Sequence, residues 1–163
     1  IRHGLGQGRL VDICQHDLHA SLAKGVGHGQ AKAAGLYMIA TMSKHAAEAK
    51  GCSDALMFDY RGYVAEATGA NMFFVKNGEV HTPTPDAFLN GITRQTVIDM
   101  LREKGINVIE RHIMPEELEG FEQCWLTGTA AEVTPVGQIG DYNFEVGAMA
   151  LDISASYEKL VRV

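Results

Sequence analysis

The sequence predicts an α+β domain, a mostly antiparallel sheet with flanking helices, and three observations predict it. Asn77-Gly78 stands between the strand-like runs NMFFVK and EVHTP, the strongest short-range hairpin signal there is. The runs DALMFD, YVAEAT and NMFFVK follow one another with only turns between them, as hairpins do and alternating βαβ units do not. Two segments, KAAGLYMIATMSKHAAEAKG and ITRQTVIDMLREKG, read as helices and stop at glycine.

Taken in order, residues 1–30 are rich in glycine and histidine and show little periodicity beyond a short helix around residues 17–22, so they form an atypical segment set apart from residues 31–163. A helix rich in alanine and methionine is expected over about 32–50, stopped by Gly51. DALMFD, a short apolar run between polar residues, is the first strand after it, and YRG turns the chain into YVAEAT. NMFFVK and EVHTP make the hairpin. A second helix follows Gly91 and ends at Gly105, then INVIERHI alternates as a strand. PEEL begins a short helical turn, and QCWLTGT is a strand that runs into a glycine turn. EVTPVGQIG is strand-like, with Pro135 favouring an edge or a bulge because proline donates nothing to a ladder. A last helix is expected over about 148–160.

Composition bounds the function. A chain of 163 residues suits one domain or one compact lobe, and 46% hydrophobic residues suffice for a core. The net charge of −6 and the lack of a basic run exclude a nucleic-acid surface as a partner. No apolar run is long enough to span a bilayer, and nothing resembles a signal peptide. The chain opens with IRHGLGQG and no methionine, as though upstream sequence were missing or removed. Its three cysteines, Cys14, Cys52 and Cys124, are odd in number and far apart, which suggests neither a disulfide framework nor a zinc site and makes a reduced, cytoplasmic setting the default. His16 and His19 have a spacing that could ligate a metal on a helix, but a solvated pair is the better reading, and no metal is expected. GLGQG lacks a preceding strand and a following acidic residue, so it is not a dinucleotide motif.

Four features carry chemistry. FLNGITRQTVIDMLREKG reads as a tight turn opening into a helix, where unpaired N–H groups and the helix dipole favour a phosphate. In it Gly91 lets the backbone approach a ligand, Thr93 is a good N-cap, and Val97, Ile98 and Leu101 mark the buried face. Lys32 starts a helix among small apolar neighbours, where desolvation and the positive helix end lower its pKa and suit it to a Schiff base. Glu66 lies in a strand between alanines, a carboxylate at least half buried that needs a partner. LTGTAAEVTP offers a second small-residue turn, with Thr127, Thr129 and the free N–H groups of residues 128–131 resembling an anion nest. Each has an ordinary reading: a capped helix, a solvated lysine, a surface glutamate, threonines chosen for strand propensity. Together they are the parts a pyridoxal phosphate enzyme requires: a lysine for the aldehyde, a carboxylate for the pyridine nitrogen, and turns for the phosphate.

From Ala31 onward the chain resembles the fold-type IV pyridoxal phosphate enzymes, the class IV aminotransferases, and most closely the branched-chain amino acid aminotransferases. The resemblance is carried by KAAGLY, GYVAEATGANMFFVKNG, LNGITRQTVI and LTGTAAEVTPV, in the family's order and near its spacing. It implies the large C-terminal domain of that fold, the cofactor pyridoxal 5'-phosphate, and transamination of branched-chain amino acids with 2-oxoglutarate. By the same resemblance Lys32 forms the internal aldimine and shuttles the α-carbon proton, Tyr37 bonds the cofactor's phenolic oxygen, and Glu66 partners the pyridine nitrogen with Asn71 in support. Leu89 packs against the ring, Ile92 and Thr93 hold the phosphate, and Thr129 and Ala130 lie near the phosphate and the substrate carboxylate.

The resemblance also implies small-molecule amino acid and 2-oxo acid substrates and a homodimer or higher homo-oligomer. The chain departs from the family in having no small N-terminal domain, which supplies an arginine to the phosphate, and HDLHASLAKGVGHGQ is not the usual strand leading to the lysine. A truncated or altered product, or a piece of a longer protein, is therefore expected. The alternatives are a catalytically impaired remnant or interaction domain of the same family, and a D-amino acid aminotransferase or aminodeoxychorismate lyase. GTAAEVTPV favours the branched-chain enzymes over the last two.

Overall fold

The computed structural model describes residues 11–15 and 37–162. Strand β1 (Val11–Gln15) and helix α1 (Tyr37–Glu48) are followed by β2 (Asp54–Phe58), β3 (Val64–Ala67), β4 (Asn71–Lys76) and β5 (Glu79–Pro83). Helix α2 (Ile92–Glu103), strand β6 (Val108–Arg111) and a 3₁₀ turn (Pro115–Gly120) lead to β7 (Gln123–Gly128), β8 (Glu132–Ile139), β9 (Tyr142–Asn143) and α3 (Ala148–Val161). The short helix expected around residues 17–22, together with His16, His19 and Lys32, lies outside the described residues.

The strands form one mixed sheet in the order β3-β2-β1-β8-β7-β4-β5-β6, with β9 on β8. Pairings β2–β3, β4–β5, β4–β7, β7–β8 and β8–β9 are antiparallel; β1 runs parallel to both β2 and β8, and β5 parallel to β6. β3 ends the order, yet residues 68–70 join it directly to β4 in the sheet's other half, and the Val64 N–H donates to the Ile113 carbonyl beyond β6. The sheet can satisfy both only by curling into a half-barrel.

The hairpin signal has a simple backbone cause: Asn77 and Gly78 both take positive φ, 51° and 78°, the turn whose twist matches two right-twisted strands. β4 alternates between two cores. Phe73 and Val75 pack with Trp125, Val97, Ile98, Leu101 and Ile153 under α2 and α3, while Met72 and Phe74 join Leu126, Phe121 and Phe144 on the other face. The Phe73 and Trp125 rings stack at 5.5 Å across the β4–β7 pair.

Three expectations need correction. Pro135 lies in neither an edge strand nor a bulge of the β7 ladder, because β8 sits between β7 and β1. It pairs with Trp125 on β7, and the register shift of the β1 pairing falls just after it, between Val136 and Gln138. Thr93 is not the N-cap of α2. Gly91 is, with extended φ/ψ and no side-chain cap, and Thr93 falls at the second helical position. Cys14 and Cys52 form a disulfide, with Cα atoms 5.6 Å apart. Counting cysteines could not find it, since the parallel pairing of β1 with β2, Cys14 opposite Ala55, is what brings residue 14 beside the entry to β2. Cys124 is buried and free, its thiol pushed up by burial.

Candidate functional site

Sheet parity decides what meets the start of α2. Asn71, Phe73 and Val75 share a face of β4, as Trp125 and Thr127 do of β7, and Asn71 stands opposite Thr127. Phe73, Val75 and Trp125 belong to the core under α2 and α3, so Asn71 and Thr127 face the same helices.

Asn71 is 5% exposed and uses its whole carboxamide. Nδ2 donates to the Leu89 carbonyl at 2.8 Å and to Glu66 Oε2 at 3.3 Å, and Oδ1 accepts from the Gly91 N–H at 3.1 Å. One side chain thus joins a half-buried strand carboxylate to the N-cap of a helix. Gly91 is required for it, because a Cβ there would lie 2.5 Å from Asn71 Oδ1. The close approach that Gly91 permits is therefore that of Asn71, where the sequence suggested a ligand. The first bond of the helix runs from the Gln95 N–H to the Gly91 carbonyl, which leaves the earlier N–H groups without an intrahelical acceptor at the positive end of the dipole.

Residues 84–91, the loop that enters α2, are held at two further points. Arg94, 1% exposed, donates from Nη1 to Asn90 Oδ1 at 2.8 Å and from Nη2 to the Pro83 carbonyl at 3.0 Å and Glu110 Oε2 at 2.9 Å. Its Nε reaches Thr82 Oγ1 at 3.3 Å. Burial pushes the Arg94 guanidinium pKa down and Glu110 pushes it back up. At the other end, Arg61 grips Asp59 and Asp86, holding the Asp86 carboxyl below the usual carboxylate range, and His112 lies 3.6 Å from Asp86.

The structure brings Glu66, Asn71, Leu89, Ile92 and Thr93 to one end of the sheet. Leu89 is half-buried, Ile92 is 84% exposed, and Thr93 is buried with its hydroxyl 3.4 Å from that of Tyr157. Thr129 and Ala130 are exposed in the turn between β7 and β8. That turn stands beside the β3–β4 turn: a Cβ on Gly128 would lie 3.2 Å from the Gly69 carbonyl. Tyr37 opens α1, and Lys32 falls outside the described residues. The Thr127 hydroxyl is buried with no hydrogen-bond partner, an arrangement that costs about 1–3 kcal/mol unless a ligand or water completes it.

Arg94, Asn90 and Asp86 did not stand out in the sequence. Arg94 had a signal, since counting back from Val97, Ile98 and Leu101 by three and four residues puts it on the apolar stripe of α2, where an arginine must find buried partners. Asp86 had none, because its partner Arg61 is 25 residues away, and Asn90, four residues before Arg94, lies in a turn where asparagine is ordinary.

Comparison with known proteins agrees with this architecture. Residues 16–139 match the amino-transferase class IV family. A probable branched-chain-amino-acid aminotransferase of Rickettsia felis is 42% identical over 137 residues, 82% of this chain and 47% of that protein. Among solved structures, the branched-chain aminotransferase of Thermoproteus uzoniensis with norvaline superposes with a TM-score of 0.89 at 32% identity, covering 95% of this chain and 52% of that one. An aminotransferase from Brucella abortus bound to the cofactor PLP superposes with a TM-score of 0.86 at 33% identity, over 97% and 56% of the two chains. The chain spans about half the length of the curated relatives it matches. With the curled mixed sheet, the Asn71-centred junction and these matches in agreement, the chain belongs to the class IV aminotransferase family, among the branched-chain aminotransferases.

Proposed function

We propose that this chain carries the cofactor half of a pyridoxal 5'-phosphate-dependent aminotransferase that exchanges the amino group of branched-chain amino acids with 2-oxoglutarate. The observation that supports it most is the Asn71 carboxamide, which joins the Glu66 carboxylate to the Gly91 N-cap. The donor set fits the group: a half-buried carboxylate for a pyridinium, helix-start N–H groups for a phosphate, and an orphaned Thr127 hydroxyl beside them. When bound, pyridoxal phosphate supplies an electron sink for the substrate's α-carbon.

The chain's own residues do the rest. By the family likeness Lys32 would attach the cofactor and carry the proton to and from the substrate α-carbon. Glu66, bonded to Asn71, would present its carboxylate to the ring nitrogen. Leu89 would pack against the ring, and Tyr37 would hold the phenolic oxygen. Ile92 and Thr93 would offer backbone N–H groups to the phosphate, while Thr129 and Ala130 would serve the phosphate and the substrate carboxylate.

A homodimer or higher homo-oligomer belongs to the same reading, and it is supported by the exposed apolar residues Met38, Ile39 and Met42 on one side of α1. A monodisperse monomer by light scattering at micromolar concentration would count against it. No helix among the described residues is long and apolar enough to cross a membrane. A cytoplasmic setting is kept from the family likeness and no longer from the cysteines, since Cys14 and Cys52 are bonded.

Adding pyridoxal phosphate to the full chain is expected to produce a visible absorbance band that Lys32→Ala abolishes, with turnover of leucine and 2-oxoglutarate. No band would overturn the reading. A band without turnover would make the chain a cofactor-binding remnant of the family.

A further inference from the structure

We infer that Arg94 is a positioning residue that aims the first turn of α2 at an anion, an inference that rests on reading that turn as the phosphate end of the cofactor site. The case begins with cost. A guanidinium in the first turn of a helix opposes the positive end of the dipole, and one that is 1% exposed has lost its water as well. A simple ion pair with Glu110 does not need this arrangement, since Arg102 reaches Glu110 from the exposed side of the same helix.

What Arg94 does beyond that pair is spread its fork over acceptors from separate parts of the chain: Thr82 Oγ1, the Pro83 carbonyl and Asn90 Oδ1. Thr82 in turn donates to the Met72 carbonyl, next to Asn71. Asn90 and Gly91 are consecutive, and they are held from two sides, Asn90 by Arg94 and the Gly91 N–H by Asn71. The peptide plane that follows Gly91 carries the Ile92 N–H, and the next plane, at the first helical residue, carries the Thr93 N–H, so the setting of Gly91 decides how both groups leave the turn. With both neighbours fixed, those N–H groups keep one direction before any ligand arrives, and the buried positive charge adds to the field of the helix end. Lysine could replace the charge but not the fork.

The test separates aiming from folding by using the phosphate itself. The full chain, Arg94→Lys and Asn90→Ala are titrated with pyridoxal phosphate and with pyridoxal, which lacks the phosphate, while the visible band is followed. The melting of each variant is measured without cofactor. Arg94→Lys is expected to bind pyridoxal phosphate roughly tenfold more weakly while its affinity for pyridoxal is little changed, the weight of one or two charge-assisted hydrogen bonds. Asn90→Ala, which leaves the core intact, is expected to lose affinity in the same phosphate-dependent way, and Asn90→Gln, which keeps an amide acceptor without adding charge, to recover part of it. If Arg94→Lys does not fold, the Asn90 pair carries the test. Equal losses for the two ligands, or melting shifts with no change in affinity, would make Arg94 a structural residue only. A full chain that binds both ligands equally well would overturn the phosphate reading of α2 itself, and the inference with it.

Discussion

Two small-residue turns looked alike in sequence, LNGIT before α2 and TGTAAE after β7, and the fold treats them differently. The first is tied down by side chains: Asn71 holds Leu89 and Gly91, Arg94 holds Pro83 and Asn90, and Arg61 holds Asp86. The second is open. Thr129 and Ala130 are exposed, and the side chains that fasten this turn lie at its far end: the Thr134 hydroxyl on the Ala131 carbonyl and the exposed Arg162–Glu132 pair, with Glu132 at a φ of 50°. A turn pinned by buried carboxamide and guanidinium groups is preorganised, whereas a turn with an exposed tip and surface contacts can adjust to what it meets. The contrast suits a fixed phosphate at the first turn and a changing substrate carboxylate at the second.

The widest break would come from Lys32→Ala, which is expected to remove the visible band entirely, so that neither turn has a cofactor to hold; absorbance titration reads it. Next is a covalent fastening that belongs to neither turn. Cys52→Ser opens the disulfide across a separation of 38 residues, and about 4 kcal/mol of stability is expected to go with it on chain-entropy grounds. Urea unfolding with and without reductant checks this, because the variant should match the reduced parent.

Gly91→Ala sharpens the contrast directly. Its Cβ would press on Asn71 Oδ1 at 2.5 Å, and an overpacking loss of about 2 kcal/mol is expected together with weaker pyridoxal phosphate binding. Thermal melting and titration would both have to move. A pH effect of intermediate size should come from His81, away from either turn. Burial first, and Arg111 second, hold its imidazole pKa below the ordinary 6.5, and Arg111 Nε donates to its Nδ1. The unfolded chain takes up that proton more readily, so the stability contributed by neutral His81 is full above about pH 6.5 and is lost as the pH falls below it. His81→Asn should flatten that slope in unfolding experiments between neutral and mildly acid pH. The smallest effect is reserved for Thr129→Ala in the open turn, expected to change stability by no more than about 0.5 kcal/mol. A loss there as large as that of Gly91→Ala would erase the distinction between the turns.

Much of the fold was legible because it is local. NMFFVK and EVHTP are strands to the residue, since an Asn-Gly turn dictates both its own dihedrals and the register on either side, Val75 against Val80. The α2 stripe of Val97, Ile98 and Leu101 is buried as its spacing requires. The misses are non-local. Pro135 favours an edge only if the neighbouring strand is known, and β1 arrives from well over a hundred residues earlier. Thr93 is a good cap by residue type, but the Asn71 carboxamide takes the N–H of Gly91 and leaves the cap position to glycine. At the site, the motif residues could be named from the sequence, while the group that joins Glu66 to Gly91 became visible only as geometry.

The sequence by itself determined the order of the main elements from α1 onward, the hairpin and the buried face of α2, each written in residues within a turn or two of one another, and the membership of the family, carried by four such motifs in order; it did not show β1, which lies in the segment read as atypical. Only the tertiary structure decided the strand order, the pairing of Cys14 with Cys52, and the convergence of Asn71, Arg94 and Arg61 on one loop. These join positions far apart in the chain, and such partners are chosen by the curl of the sheet and by the demand that buried polar groups be satisfied, neither of which a local pattern contains.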